Sequence, residues 1–155
     1  MSCMLAQPRE RRTVKATQPP PQVLRSVGAV VAGAITGIVL SIGTDFLLHA
    51  AGWMPAPGQP ASSSLLLAAT VYRTFYGVLG AYITARLAPY RPFRHVTVLG
   101  SLGFLATLFG AIATWNKGPA FGPHWYPFTL IVLALPTAWL GGWLRVRQIE
   151  PRSDC

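Results

Sequence analysis

From Ala29 to His49 the chain reads AVVAGAITGIVLSIGTDFLLH, and every fourth position is small or polar: Ala29, Gly33, Gly37, Ser41, Asp45, His49. Residues four apart lie almost above one another on a helix, drifting by ~40° per step. The pattern predicts a helix with one continuous seam that ends in a carboxylate and an imidazole. Its remaining faces are Val, Ile, Leu and Phe, which suit lipid.

Three more apolar runs follow. The expected spans are about 24–50, 64–88, 95–115 and 125–144, each near the ~20 residues that cross a ~30 Å hydrocarbon core. A surface helix in water carries a polar side. These runs carry seams of small residues instead, so the expectation is an all-α, integral membrane four-helix bundle over residues 23–148. The connections are a Pro/Gly-rich loop (GWMPAPGQPASS), a basic turn (PYRPFR) and a second loop (NKGPAFGPH). Residues 1–22 are polar, basic and end in Pro19-Pro20-Pro21. Such a segment buries too little apolar surface to order itself, so it is expected to be a disordered cytoplasmic tail. A short charged tail, 149–155, closes the chain. Arg11-Arg12 and Lys15 faintly resemble an export signal. The following apolar run is longer than a signal core and contains Asp45, so it is read as a retained anchor.

Composition supports the membrane reading. Charged residues make up 11% and hydrophobic residues 52%, with mean hydropathy +0.41; a soluble domain carries about 25% charged residues. The net charge of +9 would suit nucleic acid, but the cations flank the spans. Arg9, Arg11, Arg12, Lys15 and Arg25 precede the first span. Arg86, Arg91 and Arg94 sit at the second connection, and Arg145, Arg147 and Arg152 follow the last span. The opposite side has Lys117 alone. That asymmetry predicts both termini in the cytoplasm and argues against nucleic acid. Cys3 and Cys155 lie at the two ends on that reducing side, and are read as free thiols.

Lipid tails are as apolar as leucine, so helices associate through close approach at small residues. The expected packing positions are Gly33, Gly37 and Ser41 on span one, and Gly77 and Ala81 on span two. Gly103, Thr107 and Ala111 extend the idea to span three, and Ala134, Ala138 and Gly142 to span four.

Asp45 and Arg73 are the formal charges deep within the spans. Both lie on small-residue seams, so both are expected to face a neighbouring helix. At ~1.5 Å per residue, Asp45 is ~6–8 Å and Arg73 ~12–14 Å from the outer ends of their spans. A long arginine can close that gap, which predicts an Asp45–Arg73 pair. Two roles are open: a pin that fixes helix register, or the lining of a cavity. Thr44, Thr70, Tyr72 and Tyr76 could add polar lining to a binding site with Asp45, Arg73 and His49. His49, one turn beyond Asp45, is placed to hydrogen-bond its carboxylate. His124 is the remaining outer histidine and a possible support for His49. A metal site would need a third ligand and is not expected; no cofactor is expected either. His95, beside Arg94, is expected among lipid headgroups. Trp115, Trp125 and Tyr126 read as an interfacial aromatic belt.

No P-loop, GxGxxG, HExxH, CxxC or GxSxG pattern occurs. Asp45 is the lone carboxylate within a span, which disfavours two-carboxylate acid–base chemistry. The leading expectation is a non-enzymatic binding, transport-accessory or assembly component. Its partners would be the lipid bilayer and a second copy or another membrane protein. The alternative is a membrane enzyme acting on a lipid or quinone from the outer face, with His49 and Asp45 as its base.

Four phrases, TDFLLHAAGW, VYRTFYGVLGAYITARLAPYRP, TWNKGPAFGPHWYP and ALPTAWLGGWL, cover most of the chain after residue 40. In them the chain resembles a family of small, uncharacterised bacterial four-span inner-membrane proteins. The resemblance implies a bacterial inner membrane and brings no activity or catalytic residue with it.

Overall fold

A computed structural model describes residues 22–55, 59–118 and 122–149. The expected tails, apart from Gln22 and the 149 position, lie outside the described residues, and Cys3 and Cys155 with them. The described chain forms four helices: α1 (Gln22–Ala50), α2 (Ser63–Leu87), α3 (Pro92–Thr114) and α4 (Trp125–Ile149). Each is long and apolar enough to cross a membrane, and together they make an all-α membrane four-helix bundle.

Local chemistry explains where the helices begin and end. The side chain of Ser62 caps α2 by accepting from the Leu65 amide. α3 starts three residues earlier than hydropathy implies, because Pro92 fits the first turn, where an amide would have no acceptor. Arg91 just before it takes a left-handed conformation, φ 41°, to make the turn. α4 continues past Leu144 through Arg145 and Arg147 to Ile149. A drop in hydropathy marks the edge of lipid, and a helix can run on through it. Arg147 then lies over the Trp143 ring at 3.9 Å.

α1 and α3 run toward the end of the bundle that carries the two longer connections, here the loop end. α2 and α4 run back toward the terminal end. α2 and α4 are therefore parallel, and they pack on each other along the centre of the bundle. α1 lies against α2, α3 against α4, and α1 meets α3 only lightly.

The terminal half is closed by small residues. Its core is Ala81, Ala85, Val96 and Ala138, with Leu99 packed against them. Gly33 of α1 crosses Gly80 of α2 so closely that a methyl group on Gly33 would collide with the Gly80 carbonyl and the Thr84 hydroxyl. On α4, a methyl at Gly141 would meet Ala81 at 2.7 Å, and one at Gly142 would meet Val96 at 2.7 Å. Gly77 and Gly37 are less crowded: a methyl at Gly77 would lie 3.5 Å from Thr137, and one at Gly37 3.6 Å from the Tyr76 carbonyl. On α3 the expected seam needs correction. Gly103 has open space where a side chain would project, and the close approach belongs to Gly100, where an added methyl would lie 2.8 Å from that of Ala138.

The outer faces are apolar. Ile35, Val39, Ile42 and Phe46 form one such stripe on α1, all more than half exposed. In water this would be an aggregation surface; it is the surface a bilayer covers.

Candidate functional site

Toward the loop end the four helices part. The opening is a groove of about 540 Å³, with α2 and α4 as its floor and α1 and α3 as its walls. Its apolar lining includes Ile38, Leu99, Leu102, Leu130 and Leu133. From Gly33 to Asp45 along α1 it is ~18 Å long at 1.5 Å per residue, more than half a bilayer's hydrocarbon core.

The groove ends in a polar cluster. Arg73 donates from Nη2 to Asp45 Oδ2 at 2.6 Å, joining α2 to α1. From the Gly33–Gly80 crossing, Asp45 lies twelve residues along α1 and Arg73 only seven along α2. At ~1.5 Å per residue the two backbones differ by ~7 Å in depth, which the extended arginine side chain covers. Tyr72 donates its hydroxyl to the other carboxylate oxygen of Asp45. Both oxygens are thus engaged, as a carboxylate at membrane depth requires. Tyr76 and Thr44 share a hydrogen bond of 2.9 Å, a second polar tie between the same helices. The Tyr72 and Tyr76 rings lie 5.9 Å apart, tilted by 50°.

Tyr126 enters the cluster from α4, where its phenol interacts with both Arg73 and Asp45. An aromatic residue near a span end reads as an interfacial anchor, and this one is turned inward instead. A signal for it does exist. The α4 series Ala134, Ala138, Gly142, continued backward in steps of four, passes through Leu130 to Tyr126. Leu130 and Ala134 of that series line the groove, whereas Tyr126 is not among its lining residues.

The histidines stand elsewhere. His49 Nδ1 is 2.7 Å from the backbone carbonyl of Asp45, and the expected bond to its carboxylate is replaced by this one. The carboxylate turns across to α2, while the histidine stays on its own helix and is exposed. His124 stacks on Trp115, with ring centroids 4.4 Å apart, in a separate pocket between the loops. It does not line the groove, so the structure does not bring His49 and His124 together. His95 is buried against Tyr90, ring centroids 5.4 Å apart, where headgroup exposure was expected. Among the described residues no three potential metal ligands cluster.

Chemically, the arrangement is an apolar groove with an ion pair at one end; of the three phenols beside that pair, Tyr76 lines the groove. Comparison with protein families, curated proteins and solved structures finds no match, so function rests on the chemistry of the groove.

Proposed function

We propose that the chain is a multi-pass protein of a bacterial inner membrane, with both termini cytoplasmic, which binds an amphiphilic membrane molecule without transforming it. The observation that carries this reading is the groove, apolar along its length and polar at one end. Its volume lies within the ~300–1,000 Å³ range of small-molecule sites. Its length suits one hydrocarbon chain laid along the helices.

The occupied state of the polar groups supports binding over catalysis. Tyr72 and Arg73 take the two oxygens of Asp45, and the Asp45 carbonyl holds the His49 ring. Both carboxylate oxygens of Asp45 are thus taken up by the protein, and His49 is not among the residues that line the groove. The distribution of cations supports the orientation. Arg25, Arg86, Arg91, Arg94, Arg145 and Arg147 lie toward the terminal end, against Lys117 at the loop end. The bacterial inner membrane follows the resemblance stated above. A transport-accessory or assembly role would add a second copy or another membrane protein.

The test is lipid analysis of protein extracted into native-membrane nanodiscs. One amphiphile enriched over bulk lipid with the native chain, and lost in Gly103→Leu, is the expected result. A lipid profile equal to bulk in both samples rejects the reading. Reporter fusions at Gln59 and Gly118 should lie outside the cytoplasm; a cytoplasmic signal at either position overturns the orientation.

A further inference from the structure

The terminal end of the bundle carries charge that the described chain does not answer. Arg25, Arg86, Arg91, Arg94, Arg145 and Arg147 all lie there, with no lysine among them. Among the described residues Asp45 is the one carboxylate, and it lies toward the loop end. Glu10, Glu150 and Asp154, outside the described residues, are too few to neutralise the cations of this end. Orientation in a membrane is served equally by lysine and arginine. An all-arginine set, with its forked donors, is the form that suits phosphate.

Two of these arginines stand apart from the rest. Arg145 continues the face of α4 that packs into the bundle, where Gly141 lies against Ala81 and Gly142 against Val96. α3 and α4 are antiparallel, so Arg145, three residues beyond Gly142, is level with Phe93, three before Val96. It therefore lies beside the turn that joins α2 to α3. It is half-buried there, and its guanidinium has no hydrogen-bond or ion-pair partner among the described residues. Arg91 sits in that turn. It takes φ 41°, a left-handed conformation that disfavours a residue with a β-carbon. The other positive-φ residues of the described chain, Gly52, Gly118 and Gly122, are glycines. Arg91 is exposed, and its side chain makes no cap to α3. An arginine held where glycine would relax the backbone points to a use for its guanidinium.

The missing partner is an anion, and the surroundings narrow its kind. Leu87, Tyr90 and Phe93 border the turn and Trp143 the end of α4; each is more than a third exposed. The arginines thus stand at the edge of the apolar surface, and their anion borders on hydrocarbon. A soluble phosphate gains nothing from that border. A phospholipid joins its phosphate to its chains at such a level, and one with net negative charge brings no cation of its own. We propose that the α2–α3 turn and the last turns of α4 hold the headgroup of an anionic phospholipid, with its phosphate between Arg91 and Arg145. The site lies at the opposite end of the bundle from the ion pair, and it stands whatever the groove binds. A lipid held there would tie the turn to α4 at the mouth of the closed half.

The experiment uses the purified full chain in a non-ionic detergent, where orientation plays no part. Dioleoyl phosphatidylglycerol, dioleoyl phosphatidylcholine or inorganic phosphate is titrated in. Native mass spectrometry reads the lipid-bound fraction, and a thermal melt follows stability. Phosphatidylglycerol should bind at least about tenfold more tightly than phosphatidylcholine, the equivalent of one charge-assisted hydrogen bond. It should also raise the melting temperature, and inorganic phosphate at equal concentration should not. Arg91→Gly and Arg145→Gln should each weaken phosphatidylglycerol binding about tenfold and leave phosphatidylcholine binding as it was. Arg91→Gly is the sharper variant. Relief of the left-handed strain should maintain or raise the melting temperature of the lipid-free protein while the effect of the lipid is lost. Arg147→Gln removes a cation that lies over Trp143, two residues from Arg145 and so on the opposite face of α4. It should change phosphatidylglycerol binding by less than about twofold.

Equal binding of the two phospholipids would overturn the anionic head. A preference for phosphatidylglycerol that survives either Arg91→Gly or Arg145→Gln would overturn the site. A preference that falls as far in Arg147→Gln would do the same, because the lipid would then answer the diffuse charge of the whole end. Stabilisation by inorganic phosphate equal to that by phosphatidylglycerol would overturn the lipid in favour of a soluble anion.

Discussion

The two halves of this bundle are built from the same residue types and do opposite things with them. In the terminal half, glycine and alanine bring backbones together: Gly33 onto Gly80, Gly141 onto Ala81, Gly142 onto Val96. In the loop half, Gly37 and Gly103 line the groove, Gly103 with nothing near it, and a polar cluster spans the gap. A glycine on a membrane helix thus marks a place without a side chain. Whether a neighbouring helix or a ligand uses that place depends on where the axes diverge. The α1–α2 pair shows the change along one interface, tight at Gly33 and bridged by side chains at Asp45.

Substitutions that add or remove atoms should separate the halves. The largest effect is expected in the closed half. Gly33→Val would drive its β-carbon into the Gly80 backbone, which cannot step aside. Overpacking of this kind costs ~3 kcal/mol or more when backbone is the obstacle. Folded protein recovered from membranes should fall sharply, and near-native recovery would mean the crossing is loose. Next comes the ion pair. Asp45→Ala strands Arg73 at membrane depth, at ~2.5–3.5 kcal/mol on insertion scales. Adding Arg73→Ala should restore part of the loss, and a double mutant no better than the single would show that the pair is not coupled. Gly100→Ala is intermediate: its methyl would lie 2.8 Å from the Ala138 methyl, one small side chain against another. A cost of ~1–2 kcal/mol is expected in a reversible unfolding assay. The smallest effect belongs to the open half. A β-carbon at Gly103 would meet nothing within 4 Å, and Gly103→Leu, directed into the open groove, should shift stability by no more than ~0.5 kcal/mol. A large loss there would mean that the groove is closed in the folded protein.

The helices and the ion pair were legible in the sequence, while the division into a closed and an open half was not. Apolar runs of membrane length gave the helices, and the rarity of charge in lipid singled out Asp45 and Arg73. Facing seams, and a depth difference that an arginine side chain can bridge, then suggested their pairing. What the sequence could not supply was the direction each seam faces. Gly103 and Gly100 are three residues apart on α3 and equally small, yet only one touches a helix. The choice is made by where α3 meets α4, a tertiary fact. Tyr126 was obscured because aromatic residues at span ends have a common lipid-facing role, and its inward turn depends on a partner two helices away. His49 went astray for a simpler reason. Its own helix offers a backbone carbonyl at the ideal distance, while the Asp45 carboxylate is drawn across to α2.

The parallel pairing of α2 with α4 has a consequence for how the molecule is made. α1 with α2, and α3 with α4, are hairpins that can close as each pair enters the bilayer. The central seam joins segments separated by a whole intervening helix, so it waits until translation has delivered the fourth. Until then the first hairpin presents its half of the ion pair's surroundings to lipid, without Tyr126. The groove, which residues of all four helices line, is therefore complete only once α4 has docked.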